Sequence, residues 1–173
     1  MKPLVVIDMQ KDFVDGALGT AEAHAIAQNV ADLMLGWDGP VICTLDTHHE
    51  DYLNTLEGHY LPVEHCIEGS AGWRLCLPVA EAAEQIDAVL IAKPAFGSLD
   101  LPEVIEDMCG GEPDEIHIVG ICTDICVISN AMILKAAFTE VPVFVHRDYC
   151  AGVTPEQHEN ALSAMGPCQI EVV

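Results

Sequence analysis

Six short apolar runs, spaced too far apart for hairpins, constrain this chain more than any other feature. They are Leu4-Val5-Val6-Ile7, Val41-Ile42-Cys43-Thr44-Leu45, Ala88-Val89-Leu90-Ile91, Ile116-His117-Ile118-Val119, Val141-Pro142-Val143-Phe144-Val145 and Ile170 to Val173. Runs without polar alternation suit strands buried on both faces, and such strands pair in parallel through long crossovers. Helical punctuation lies between them. From Thr20 to Leu35 the apolar positions Ile26, Val30, Leu33 and Met34 follow the helical period, and Gly36 supplies a stop. Leu101-Pro102-Glu103 opens a second helix that Gly110-Gly111 closes. Thr154-Pro155-Glu156-Gln157 reads as a capping box, with Gly166 at the far end. Strand and helix alternate throughout, with no linker or repeat. The expectation is one α/β domain over residues 1–173, a mostly parallel sheet with helices on both faces.

Charge narrows the function classes. With 28 Asp and Glu against 6 Lys and Arg the formal net charge is −22. Such a surface repels phosphate backbones and anionic lipid, and no basic cluster offsets it, so neither nucleic acid nor membrane is an expected partner. No apolar stretch approaches the roughly 18–20 residues that span a bilayer. The run after Met1-Lys2-Pro3 is cut by Asp8, too early for a secretory signal. A cytoplasmic protein follows as the expectation, and its 8 cysteines are then reduced thiols rather than a disulfide framework. None forms a C-x-x-C pair, which removes the usual zinc-knuckle and thioredoxin patterns.

Four strand tips carry chemistry-bearing residues. In open α/β sheets ligands sit beyond the carboxyl ends of the strands. Asp8 ends the first run, and Asp46-Thr47-His48 ends the second. Lys93 follows the third. Gly120-Ile121-Cys122-Thr123-Asp124-Ile125-Cys126-Val127 follows the fourth. Thr123 or Asp124 suits a helix N-cap, which puts Cys126 in the first turn, where the helix dipole would lower a thiol from its ordinary value of about 8.5. Each also has a plain structural reading: a turn-capping Asp8, an exposed loop Lys93, a buried structural Cys126. Asp46 and His48 place an oxygen and a nitrogen within reach of one metal, and His65 closes the loop between residues 46 and 77. A loop of about thirty residues is more often functional than structural.

The order Asp8 with Gln10-Lys11-Asp12-Phe13, then Asp46-x-His48, His65-Cys66-x-x-Gly69, Lys93 and Gly120-x-x-Thr123-Asp124-x-Cys126-Val127 resembles the isochorismatase-like cysteine hydrolases, most closely their nicotinamidase branch. The resemblance implies a Rossmann-like, three-layer α/β/α fold with six parallel strands ordered 3-2-1-4-5-6. It implies Cys126 as a nucleophile forming a thioester from a small carboxamide, Asp8 as the proton carrier, and Lys93 as the cation holding both charged. It places a cis peptide between Ile121 and Cys122, with N–H groups there and at Cys126 facing the oxyanion. Phe13 matches an aromatic that packs on the substrate ring. Asp46, His48 and His65 match ligands of a divalent metal, zinc first, with iron or manganese as alternatives, and Glu57, His49 or His59 is the fourth ligand. Family members are often dimers or tetramers, so a homo-oligomer is expected.

The chain departs from the nicotinamidase pattern in two loops. Leu61-Pro62-Val63-Glu64 lacks the usual aromatic before His65, and Pro94-Ala95-Phe96-Gly97-Ser98 replaces a tyrosine-containing segment, leaving Phe96 as the wall of the pocket. The resulting expectation is hydrolysis of nicotinamide to nicotinate and ammonia. Carbamoyl or ureido compounds and vinyl ethers are alternative substrates. A catalytically silent metabolite-binding domain and a Cys122–Cys126 redox sensor are readings from other classes. An activated Cys126 is expected to outpace the other seven thiols with iodoacetamide.

Overall fold

All six runs join one sheet. The computed structural model describes residues 1–173, and in chain order it contains β1 (Leu4–Ile7), α1 (Lys11–Val14), α2 (Ala21–Gly36), β2 (Val41–Asp46), a 3-10 turn at Tyr52–Asn54, α3 (Leu56–Tyr60), α4 (Leu77–Gln85), β3 (Val89–Lys93), α5 (Leu101–Cys109), β4 (Ile116–Ile121), a π-helical turn at Thr123–Val127 running into α6 (Ile128–Ala137), β5 (Val143–Ala151), α7 (Pro155–Met165), a 3-10 turn at Gly166–Cys168 and β6 (Ile170–Val172). The strand order is β3-β2-β1-β4-β5-β6, parallel throughout. This is the α/β/α architecture expected, in the expected order.

Alternation along the central strands builds two cores. Side chains on a strand point to opposite faces in turn. Val5 and Ile7 of β1 therefore pack with α5, α6 and α7 residues such as Ile105, Leu134 and Leu162, whereas Leu4 and Val6 pack with Val30 and Met34 of α2 and Val79 of α4. Every residue of β1 and β2 is buried. At about 1.5–3 kcal/mol for each fully buried aliphatic side chain, this two-sided burial is what makes the parallel arrangement stable.

The helix signals are realised with small changes. Thr154 Oγ1 accepts from the Gln157 N–H (3.2 Å), the N-cap expected there, and Thr20 Oγ1 caps α2 in the same way by accepting from the Ala23 N–H (3.0 Å). Gly110 closes α5 with a left-handed φ of 71°. Gly36 is instead the last residue inside α2, and Trp37 is the cap. The Trp37 indole N–H donates to the Lys2 carbonyl (2.8 Å), which turns the chain there without a glycine.

Two strand expectations need correction. β3 and β6 are edge strands, with Leu90 52% exposed and Glu171 also exposed, not runs buried on both faces. β5 starts only at Val143 and extends through the polar His146-Arg147-Asp148 to Ala151. Pro142 lacks an N–H and serves the sheet through its carbonyl alone, which accepts from Ile116. The segment after β2 is not structureless: Tyr52 anchors it with no exposed surface. No helix is long and apolar enough to cross a membrane.

Gly120 lies in β4 opposite Ile7, with φ 117°. A Cβ there would collide with the Ile7 backbone, and an L side chain rarely adopts that φ. Gly120→Ala is therefore expected to cost about 3 kcal/mol or more, measured as a loss of urea midpoint at unchanged m-value.

Candidate active site

Parallel pairing brings the strand tips together at one edge of the sheet. Asp46 and Lys93 are register partners across β2 and β3, and Ile7, the residue before Asp8, pairs with Gly120. β1 and β4 are neighbours from which the chain winds in opposite directions, so Asp8 stands at the switch point of the sheet, where ligands bind in such folds.

Lys93 organises the cluster. Its Nζ, fully buried, lies 2.7 Å from Asp8 Oδ2 and 3.2 Å from Asp46 Oδ1. It also donates to the Ala95 carbonyl (3.0 Å) and to Cys126 Sγ (3.5 Å). Burial disfavours its charge, but Asp8, then the Cys126 sulfur and Asp46, more than compensate and hold the ammonium above its ordinary value. The reading of Lys93 as an exposed loop residue is therefore wrong.

Asp8 is held in an unusual backbone conformation, φ 47°, by a residue that sequence reasoning missed. Thr44 Oγ1 accepts the Asp8 N–H (3.1 Å) and donates to Asp8 Oδ1 (2.6 Å). Asp8 Oδ2 contacts Lys93 as an ion pair but has no donor with hydrogen-bond geometry, which leaves a buried lone pair for a proton. Burial pushes the Asp8 carboxyl up, and Lys93 opposes it.

Cys126 differs from the expectation in its protonation. Neither Thr123 nor Asp124 caps the helix: Cys122 is the N-cap, Thr123 Oγ1 pairs with His158 Nδ1 (2.8 Å), and Asp124 Oδ1 accepts from the Val153 N–H (3.0 Å). Cys126 lies in a π-helical turn at 5% exposure, and burial, then the Asp8 carboxylate, push its thiol well up. The resting group is a neutral thiol beside a carboxylate, not a dipole-stabilised thiolate. Ready alkylation ahead of every other cysteine does not follow from this geometry, because Cys168 is the exposed thiol. Cys122 is also pushed up, to about 12, by burial. The Ile121–Cys122 peptide is cis.

A second cluster adjoins the first through Asp46. Donor atoms of Asp46, His48, Glu57 and His65 all lie within 4.8 Å of one another. His65 Nδ1 donates to the Val63 carbonyl (2.8 Å), which leaves Nε2 as the free lone pair, 3.6 Å from Asp46 Oδ2 and 3.7 Å from Glu57 Oε1. His48 Nε2 is 3.0 Å from Asp46 Oδ2 and 3.5 Å from Glu57 Oε1, yet buried without a hydrogen bond. Burial disfavours the His48 charge, but Asp46 and Glu57 outweigh it and raise the ring to about 9. Asp46 is held well below the carboxylate range: burial works against this, and His48, His65 and Lys93 prevail. Two imidazoles and two carboxylates converging on one point fit a divalent cation of the zinc, iron or manganese kind.

Of the three candidates for the fourth ligand, the structure brings only Glu57 to the cluster. His49 is 70% exposed beside Glu68, and His59 Nδ1 donates to the Thr55 carbonyl on the outer side of α3. Two residues apart on a helix means about 200° of rotation, so Glu57 and His59 cannot face the same way. Two further residues carry the cluster: Tyr52, which has no signal in the sequence, and Gln10, which belongs to the motif after Asp8. Tyr52 packs against His48 and His65 with centroids 4.6 and 4.9 Å away. The Gln10 amide accepts from the Asp46 N–H (2.7 Å) and donates to the Asp46 and Trp73 carbonyls (2.9 and 2.7 Å).

Both clusters open into one cavity of about 390 Å³. Cys126, Asp46, Glu57 and His65 line its polar side, and Phe13, Phe96, Ile125 and Val153 its apolar side. Phe13 lies 5.4 Å from the His65 ring. The volume suits a small ligand with a flat apolar body and one polar end.

Comparison with known proteins identifies the family. The isochorismatase domain family model matches residues 2–173. An isochorismatase family protein of Bacillus subtilis (strain 168), PncA, is 30% identical over 94% of this chain and 92% of its own length. The nicotinamidase/pyrazinamidase of Mycobacterium tuberculosis (strain ATCC 25618 / H37Rv) is 26% identical over 100% of this chain and 98% of its own. Among solved structures, the pyrazinamidase of Pyrococcus horikoshii in complex with zinc superposes with a TM-score of 0.84 at 27% identity, covering 99% of this chain and 98% of that one. On a match from end to end, the chain belongs to the isochorismatase domain family.

Proposed function

We propose that this chain, as one hydrolase domain over residues 1–173, cleaves the C–N bond of a small ring carboxamide, nicotinamide first, to give the acid and ammonia. One observation carries the reading. A buried Lys–Asp–Cys contact set and a four-donor metal cluster share Asp46 as a neighbour and open into the same small cavity. The nicotinamidase and pyrazinamidase relatives support the same substrate class.

The chemistry follows from the protonation states. Cys126 Sγ attacks the amide carbon while its proton passes to Asp8 Oδ2, the buried acceptor without a donor. The oxyanion is held by N–H groups at Cys122 and Cys126, beside the cis peptide. Asp8 gives the proton to the nitrogen, the C–N bond breaks, and ammonia leaves a Cys126 thioester. A water then loses a proton to Asp8 and attacks the thioester, which releases the acid and restores the thiol. Lys93 keeps Asp8 ionised between proton transfers, and its contact with Sγ favours charge on sulfur during attack. Asp46, His48, Glu57 and His65 would hold a divalent ion, zinc in this reading, which would supply a Lewis-acidic anchor for a ring nitrogen. Phe13 and Phe96 flank the ring. Cytoplasmic setting and assembly as a dimer or tetramer belong to the same proposal, and sedimentation reads the second.

Ammonia release from nicotinamide tests the reaction. Cys126→Ala is expected to lower kcat by about 10⁴-fold or more, and Lys93→Ala by about 10²-fold or more. Wild-type protein that releases no ammonia from pyridine carboxamides, carbamoyl amines or ureido acids would return the chain to the metabolite-binding reading. Metal content is measured separately: one equivalent of divalent ion per chain after dialysis, with affinity lowered more than about 100-fold in His48→Ala or Asp46→Asn.

A further inference from the structure

Asn130 is the one fully buried amide side chain outside the two clusters that touches both walls of the cavity. It sits on α6, one turn after Cys126, with no exposed surface. Its Nδ2 donates to the Cys126 carbonyl (2.8 Å) and to the Phe96 carbonyl (3.1 Å), and its Oδ1 accepts from the Ser98 N–H (2.9 Å). Both amide protons and one oxygen lone pair are thus used within protein, across 32 and 34 residues of sequence for the loop contacts.

The loop it grips needs such a grip. Pro94, Ala95 and Phe96 are exposed, and Ser98 is buried. Phe96, which lines the cavity, is itself 45% exposed, so its own packing does not fix its position. The side-chain hydrogen bonds that tie this segment to the nucleophile side are the Lys93–Ala95 bond and the Asn130 pair, and Gly97 between them packs against Ile133 of α6. A buried, fully bonded amide is costly to disturb, because each partner left behind is a buried unpaired group.

We propose that Asn130 is a positioning residue that sets the separation between the Phe96 wall and the Cys126 sulfur, and so sets acceptance of ring-bearing amides. This rests on the amidohydrolase reading. It acts on substrate through Phe96 and does not itself touch it.

The test is a double-mutant cycle read as KM against kcat for nicotinamide. Asn130→Ala removes all three bonds, and Asn130→Asp keeps the shape and the Ser98 bond while losing both donors. Each is expected to raise KM about tenfold with kcat within about threefold of wild type, and in a Phe96→Ala background the same changes should add less than about twofold. A fall in kcat at unchanged KM, or full multiplicativity with Phe96→Ala, would overturn the proposal. Hydrogen exchange in wild-type protein reads the clamp independently: the Ser98 amide should exchange far more slowly than those of Ala95 and Phe96. Equal rates would overturn it, even where a variant fails to fold. A wild type without ammonia release refutes the parent reading instead, while the exchange result still decides whether the clamp exists.

Discussion

A buried ammonium with three anionic or ionisable neighbours is the interaction on which the rest of this site depends. An unpaired buried Lys would lose its proton or unfold the chain around it. Here Asp8 and Asp46 sit at 2.7 and 3.2 Å, and the ammonium in turn permits two carboxylates to be buried side by side. Burial first, and then the Asp8 carboxylate, push the Cys126 thiol well up against the opposing pull of Lys93. The second carboxylate is shared: Asp46 gives Oδ1 to Lys93 and Oδ2 to His48 and His65. A cation among those donors therefore bears on the charge balance of the whole site.

Backbone geometry supports this arrangement at two points. Asp8 and Cys66 both have φ 47°, outside the usual range for side chains of their type. Such conformations cost about 1–3 kcal/mol and survive only where surroundings impose them. Thr44 imposes the first through two hydrogen bonds, and Asp12 Oδ2, accepting the Cys66 N–H at 2.8 Å, holds the second next to His65. Asp12 is adjacent to Phe13, so one short segment after β1 orders both the metal loop and an aromatic wall of the cavity.

What was legible in the sequence was whatever depends on periodicity or on residue type at a strand tip. The central strands, the cap at Thr154 and the stop at Gly110 follow from local rules and formed accordingly. The tips of β1, β2 and β3 pointed to Asp8, Asp46 and Lys93, because a parallel sheet aligns its carboxyl ends. Apolar composition could not tell an edge from a centre, hence Leu90. The direction of the Cys126 shift was missed because helix position is visible in sequence while burial beside a carboxylate is not. Thr44, Tyr52 and Asn130 were missed for a related reason: their roles come from contacts across 36, 13 and 34 residues that no spacing rule encodes. Choosing Glu57 over His59 required knowing that the segment was helical.

This division also separates chemistry from substrate choice. Asp8, Asp46 and Lys93 are set by the register of β1, β2 and β3, and a one-residue slip would turn each to the opposite face. Phe96 and the residues before His65 lie in loops, where sequence can change without moving the sheet. The two departures from the nicotinamidase pattern, Leu61 to Glu64 and Pro94 to Ser98, both fall in such loops. Leu61 and Phe96 line the cavity, and what Lys93 Nζ touches in either stretch is the backbone carbonyl of Ala95, a contact that does not depend on the side chain there. On the proposed reaction, change confined to these loops reshapes the walls around a ring and leaves the contacts of Asp8 and Cys126 with Lys93 in place. The reaction and the identity of the amide are therefore separable properties of this chain, the first held by strands and the second by loops that strands only anchor.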